Sequence, residues 1–306
     1  MLRQVILAAS RSAAARRVVE RAPVSRAVVH RFVPGAKVDD AVAASRALLA
    51  SGRTVTLDHL GEDTHDAGQA ADTVKAYLEL IGRLADAGLT EGARAEVSVK
   101  LSAVGQAFDE KLALAGATAI CEAARTAGTT VTLDMEDHTT TESTLGILGE
   151  LRRDFPTTGA VLQAYLHRTE TDCRDLAVAG SRVRLCKGAY KEPASVAFQS
   201  KGDVDRSYVR CLEVLMAGEG YPMVASHDPR MIAVAGELAT GRAKGSYEYQ
   251  MLYGIRPAEQ ERLAGAGETV RVYLPYGDEW YGYFMRRLAE RPANVAFFLR
   301  ALASRS

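Results

Sequence analysis

The chain has 306 residues, 47% of them apolar, and its 38 Lys and Arg equal its 38 Asp and Glu. That composition supports a large buried core and excludes a disordered chain, and the zero formal charge excludes a global nucleic-acid footprint. Cys121, Cys173, Cys186 and Cys211 lack the paired spacing of a zinc or thioredoxin site, which predicts a reducing, cytosolic setting, and no apolar run reaches the roughly 18 to 20 residues of a membrane-spanning helix.

The first 31 residues carry several Arg and one acid, Glu20, in stretches such as "RSAAARRVVER". A transit peptide has this composition. Val5, Leu7, Ala8, Ala15, Val18 and Val19 nevertheless recur at helical spacing, which predicts an amphipathic helix. Residues 1–50 are read as additional N-terminal helices, an arm covering the catalytic unit or a partner subunit.

From residue 54 short β-branched runs alternate with longer helical patterns, the signature of successive βα units and a parallel sheet. Eight runs occur: "TVTLDHL" from Thr54, "AEVSVKL" from Ala95, "TVTLDME" from Thr130, "AVLQAYL" from Ala160, "RVRLCKG" from Arg182, "PMVASHD" from Pro222, "KGSYEYQML" from Lys244 and "TVRVYLP" from Thr269. A helical pattern such as "AADTVKAYLELIGRLADAG" closes on Gly88, which suits a helix C-cap. Eight such units in roughly 250 residues predict an α/β fold of the (β/α)8 TIM-barrel type over residues 51–306. A doubly wound open sheet is the alternative, but no Gly-x-Gly-x-x-Gly turn follows the first strand.

In such a barrel the chemistry lies at the C-terminal ends of the strands. Polar residues there are Asp58, Lys100, the group Asp134, Glu136, Asp137 and His138, then Gln163, Arg184, Lys187, the group Ser226, His227 and Asp228, and finally Glu248 and Gln250. An unpaired buried charge costs several kcal/mol, so Lys100, Asp134 and Arg184 are expected to pair with one another or with a ligand. Structural salt bridges in the barrel mouth are the plainer alternative. The last segment, "YLPYGDEWYGYFMRRLAERP", puts Tyr283, Arg286 and Arg287 at i, i+3 and i+4 of a helix that Asp278 could cap. Two adjacent guanidinium groups suit a small carboxylate, although Arg286 could equally pair with Glu290 on a solvated face.

Taken in order, "VTLDHLGED", "VSVKLSA", "LDMED", "VRLCKGAY", "YEYQMLYG" and Y-x-P followed by "YFMRR" resemble proline dehydrogenase, over nearly the whole barrel. The resemblance implies oxidation of L-proline to Δ1-pyrroline-5-carboxylate by hydride transfer to FAD, the first step of proline catabolism. It implies substrate contacts at Lys100, Asp134, Ala189, Leu252, Tyr273, Tyr283, Arg286 and Arg287. It implies FAD contacts at Met135, Gln163, Arg184, Cys186, Lys187, Gly188, Ala189, Ser226, His227 and Glu290, with catalytic roles for Asp134 and Arg184. Ser226 departs from the family's threonine but keeps a hydroxyl, and Cys186 replaces a common valine. The bulk of Tyr283 implies proline rather than 4-hydroxyproline. Electrons are expected to reach a quinone through peripheral membrane contact. A separate pyrroline-5-carboxylate dehydrogenase is expected downstream, because the chain has no room for that second domain; no metal is implied.

Two other enzyme readings stay open on the residues alone. Lys100 or Lys187 could be a Schiff-base nucleophile of an aldolase-type barrel, and Asp134, Glu136, Asp137 and His138 could be metal ligands. A barrel without catalysis, binding a ligand or serving as a scaffold, is the third.

Overall fold

The computed structural model describes residues 29–61 and 64–290, with the side chains of Arg286 and residues 288–290 outside that description. The amphipathic helix expected within residues 1–28 therefore lies outside the described residues. Eight parallel strands close in chain order, with the last beside the first. They are β1 (Thr54–His59), β2 (Ala95–Lys100), β3 (Val131–Asp134), β4 (Gly159–Gln163), β5 (Arg182–Cys186), β6 (Tyr221–Ala225), β7 (Glu248–Leu252) and β8 (Val270–Tyr276). Helices α2 (Ala67–Asp86), α3 (Glu110–Thr126), α4 (Thr141–Asp154), α5 (Thr169–Leu176), α6 (Lys201–Ala217), α7 (Pro229–Leu238) and α8 (Pro257–Gly265) separate successive strands. Helix α1 (Val38–Ala50) precedes β1, and α9 (Trp280–Glu290) follows β8.

The eight expected runs are the eight strands of the barrel. The seventh begins late, at Glu248, because Gly245 adopts a positive φ in the turn before it. Helix starts follow local chemistry: the side chains of Asp66, Asp109, Ser200 and Asp228 accept hydrogen bonds from the first-turn amides of α2, α3, α6 and α7. Each such cap contributes about 1 kcal/mol. Gly88 ends α2 with φ of 69°. Helix α9 begins at Trp280, two residues after Asp278.

Strand periodicity sorts side chains to two sides. Val55, Leu57, Val97, Val99, Leu133, Val183, Leu185, Val272 and Leu274 are fully buried in the layers under the helices. The alternate positions turn a polar set into the barrel: Glu96, Ser98 and Lys100 on β2, Thr132 and Asp134 on β3, Arg182 and Arg184 on β5, Glu248 and Gln250 on β7, and Arg271 and Tyr273 on β8. The described segment before α1 packs Val29, Phe32 and Val33 against Tyr281, Tyr283, Phe284 and Met285, which seats α9 across one end of the barrel.

Candidate active site

Parallel register places Lys100 beside Asp134 and Leu252 beside Tyr273, so four strands deliver their ends to one mouth. Lys100 Nζ lies 2.7 Å from Asp58 Oδ2 and 3.5 Å from Asp134 Oδ2. Arg184 Nη1 donates to Asp134 Oδ1 at 2.7 Å and to Ser98 Oγ at 3.0 Å. Tyr273 donates its phenol proton to Asp134 Oδ2 at 2.6 Å, and the Arg184 guanidinium lies 5.3 Å from the centre of the Tyr273 ring. The expected grouping of Lys100, Asp134 and Arg184 is thus present, with Asp134 at its centre.

Burial works against a charged Asp134, but Lys100 and Arg184, with hydrogen bonds from Tyr273 and Ser98, hold its carboxyl below the usual carboxylate range. Burial and then the Asp134 charge push the Tyr273 phenol well up, so Tyr273 remains a donor. Burial also lifts the Cys186 thiol to about 11, leaving it an inert thiol rather than a nucleophile.

Above this cluster opens a cavity of about 400 Å³. Its walls include Lys100, Asp134, Arg184, Leu252, Tyr273, Tyr283 and Arg287, with Ala189 on the β5–α6 loop. Met135, Gln163, Cys186, Lys187, Gly188, Ser226 and His227 line it as well. On α9, Arg287 stacks 5.0 Å from the Tyr283 ring centre, the i, i+4 pairing read from the sequence. The side chains of Arg286 and Glu290 lie outside the described residues.

Several lining groups are held in orientation by hydrogen bonds. Gln163 Nε2 donates to the Glu136 carbonyl at 2.6 Å, and the Leu252 amide donates to His227 Nε2 at 2.9 Å. The Ser226 hydroxyl accepts from the Asp228 amide at 3.1 Å. Lys187 Nζ is paired with Asp205 and, at 2.9 Å, with Asp228. Asp58, Tyr190, Met251, Val161 and Ala225 also line the cavity without having been assigned to it from sequence. Asp58 was visible as a strand-end acid; Tyr190 immediately follows the Gly188-Ala189 step and could have been included with it.

The rival readings fare poorly on geometry. A carbonyl-attacking amine needs a free lone pair, whereas the Lys100 and Lys187 amines are each engaged by two carboxylates. The four candidate metal ligands diverge: Glu136 accepts from Ser102, Asp137 from Thr139, and His138 bonds Glu192, while Asp134 faces the barrel. Among the described residues no group of three His, Cys, Asp or Glu side chains is placed to hold a metal ion.

A closed parallel barrel whose strand ends converge on a charged cavity capped by a helix defines a TIM-barrel enzyme. The family model for proline dehydrogenase matches residues 41–300. Proline dehydrogenase 2 of Bacillus subtilis is 38% identical over 283 residues, 92% of each chain. The proline dehydrogenase of Deinococcus radiodurans is 40% identical over 282 residues, 90% of each. The chain belongs to the proline dehydrogenase family, whose members are oxidoreductases. A solved structure of proline utilization A from Bdellovibrio bacteriovorus, inactivated by N-propargylglycine, superposes with a TM-score of 0.81 at 24% identity and shares the fold. That match covers 92% of this chain and 34% of the larger one, so this chain spans about a third of it.

Proposed function

We propose that the chain oxidises L-proline to Δ1-pyrroline-5-carboxylate with FAD as its resident cofactor. The observation that carries this reading is the meeting, in one cavity, of the Lys100, Asp134, Arg184 and Tyr273 cluster with Tyr283 and Arg287 from α9, in a chain of this family.

The residues present suit an extended flavin dinucleotide. A second cavity of about 580 Å³ adjoins the first and shares Lys187, Gly188, Ala189 and Tyr190 with it. Lys191 and Lys201 line this second space beside Glu192 and Asp205, and Lys201 is shared with Asp205 at 2.6 Å; these two ammonium groups are the donors that would meet a diphosphate. At the junction Gly188 has φ of 104°, and a Cβ there would come within 2.4 Å of the Tyr165 ring, so the loop passes where no side chain fits. Gln163, Lys187, Gly188, Ser226 and His227 would hold the group from the described walls, with Met135, Cys186 and Ala189 beside them and Glu290 contributing from α9.

When bound, FAD supplies the two-electron acceptor that no side chain provides. The protein's part is orientation and electrostatics. Arg286 and Arg287, with Lys100, bind the proline carboxylate by charge-assisted hydrogen bonds. Tyr273, Tyr283, Leu252 and Ala189 enclose the ring and exclude water. Arg184 presents positive charge to the site of reduction, and Asp134 fixes Arg184 and Tyr273 together.

Electrons are then passed to a quinone by a protein working in the cytoplasm or at the inner face of the membrane, and a separate pyrroline-5-carboxylate dehydrogenase consumes the product. Peripheral contact suffices for this, and no described helix is long and apolar enough to cross a membrane. The test is an absorption spectrum before and after anaerobic proline addition. Flavin bands that bleach with proline are expected; a protein that takes up no FAD, or whose flavin stays oxidised, overturns the proposal.

A further inference from the structure

We propose that Gln250 is the positioning residue for Arg184, held in that task by Glu248 and Arg271. Arg184 is anchored through two of its nitrogens. Nη1 is held by Asp134 and Ser98, while Nε donates to Gln250 Oε1 at 2.5 Å. With one anchor the guanidinium plane can pivot; with both, its direction is set.

The Gln250 amide is itself fixed. Its Nε2 donates to Glu248 Oε1 at 2.5 Å, so the amide cannot turn over without presenting its NH2 group to the guanidinium. Glu248, fully buried, receives Arg271 Nε at 2.9 and 3.1 Å on its two oxygens and the Tyr221 hydroxyl at 3.2 Å. Arg271 Nη1 ends the chain on the carbonyls of Val55 and Ala93, both at 3.0 Å. The relay thus runs from the cavity through β7 and β8 to backbone near the start of β1 and just before β2.

The residue type matters as much as the contact. Arg184 already has carboxylates in Asp134 at 2.7 Å and, farther off, Glu96 at 4.0 Å. A neutral amide at Nε fixes direction without cancelling more of the charge, which a further carboxylate in direct contact would do. Gln250 therefore keeps Arg184 both oriented and effectively cationic.

This inference rests on the proposed flavin chemistry, and its test separates the two. FAD-loaded full-length protein is compared with Gln250→Glu and Glu248→Gln by spectroelectrochemical midpoint potential and by proline kinetics. Gln250→Glu, nearly isosteric, is expected to lower the flavin midpoint and to reduce kcat about tenfold, equivalent to about 1.4 kcal/mol, with the proline KM within twofold. Glu248→Gln removes negative charge behind the amide while conserving shape, and is expected to raise the midpoint. Equal midpoints in both variants and parent, or a change in KM alone, overturn the assignment while leaving the proposed reaction intact. A Gln250→Glu chain that does not fold leaves the Glu248→Gln midpoint to decide: a rise supports the relay, and no rise overturns it. A parent that proline does not bleach overturns both.

Discussion

Asp134 is the carboxylate on which the proposed site turns, so its removal gives the sharpest test of the buried network. Asp134→Ala deletes the partner of Arg184 at 2.7 Å, of Tyr273 at 2.6 Å and of Lys100 at 3.5 Å, at a position only 8% exposed. Asp58 still partners Lys100, at 2.7 Å, but Arg184 keeps only neutral partners nearby and a carboxylate 4.0 Å away, Glu96. Breaking a buried pair from one side costs about 3 to 5 kcal/mol, and the lower figure applies where a second counter-ion remains. For 306 residues, at about 2.1 cal/mol/K of unfolding entropy per residue, about 3 kcal/mol becomes a fall of about 5 °C in Tm. The assay is thermal unfolding followed by near-ultraviolet circular dichroism at neutral pH. Asp137→Ala is the control, because Asp137 serves Thr139 within its own turn and should shift Tm by under about 1 °C. If Asp134→Ala melts within 1 °C of the parent, the network is not held by this carboxylate.

Three further outcomes are expected. Arg287→Ala should raise the proline KM by about 10- to 100-fold, equivalent to about 1.4 to 2.8 kcal/mol, with FAD still bound; steady-state kinetics and the flavin spectrum check this, and unchanged KM removes Arg287 from the clamp. Gly188→Ala should lower stability by about 1 to 3 kcal/mol and weaken flavin retention, since φ of 104° and the 2.4 Å approach to Tyr165 both resist a Cβ; a denaturant melt and a flavin-release titration would show it. The depressed Asp134 carboxyl makes stability acid-sensitive: its contribution is fully present above the unfolded carboxylate value of about 4 and is lost as pH falls through the lower folded value. The stability gap between the parent and Asp134→Asn in urea unfolding should therefore be wide at pH 6 and narrow on acidification below about pH 4.

The barrel was legible because each strand run is short, β-branched and separated by a capped helix, and those local rules all agree with one closed sheet. Strand ends were legible too, since Lys100, Asp134 and Arg184 end or nearly end apolar runs. The deeper polar layer was harder to read. Glu96, Arg182 and Arg271 fall near the beginnings of their strands, where a barrel is normally filled by aliphatic side chains. Glu248, grouped with the strand-end residues, proves to open β7 and lies in this layer. The signal was the alternation in "AEVSVK", "RVRLC" and "VRVYLP": a parallel strand covered on both faces should read as continuously apolar, so strict period two announces a polar interior. Which charge meets which depends on closure of the barrel. Glu96 reaches Arg182 across positions 86 residues apart, and no local pattern encodes that distance.

Closure also explains why the proposed carboxylate clamp belongs on α9. Inside the barrel Asp58, Glu96, Asp134 and Glu248 face Lys100, Arg182, Arg184 and Arg271, each in an ion pair with a member of the opposite set. Such a balanced set is rigid, and Lys100 and Arg184, each shared with a carboxylate, carry only part of the charge an incoming anion needs. Lys187 is likewise committed to Asp205 and Asp228. A substrate carboxylate therefore needs further positive charge besides Lys100, and α9, seated by Val29, Phe32 and Val33 at one end of the barrel, places Arg287 in the cavity wall, with Arg286, next to it in sequence, as the proposed second cation. On this reading the barrel provides fixed orientation while the helix provides substrate charge, so Arg287→Ala should act on KM, and Gln250→Glu on kcat and the flavin midpoint. A variant pair that showed the reverse split would place the carboxylate on the barrel cations instead.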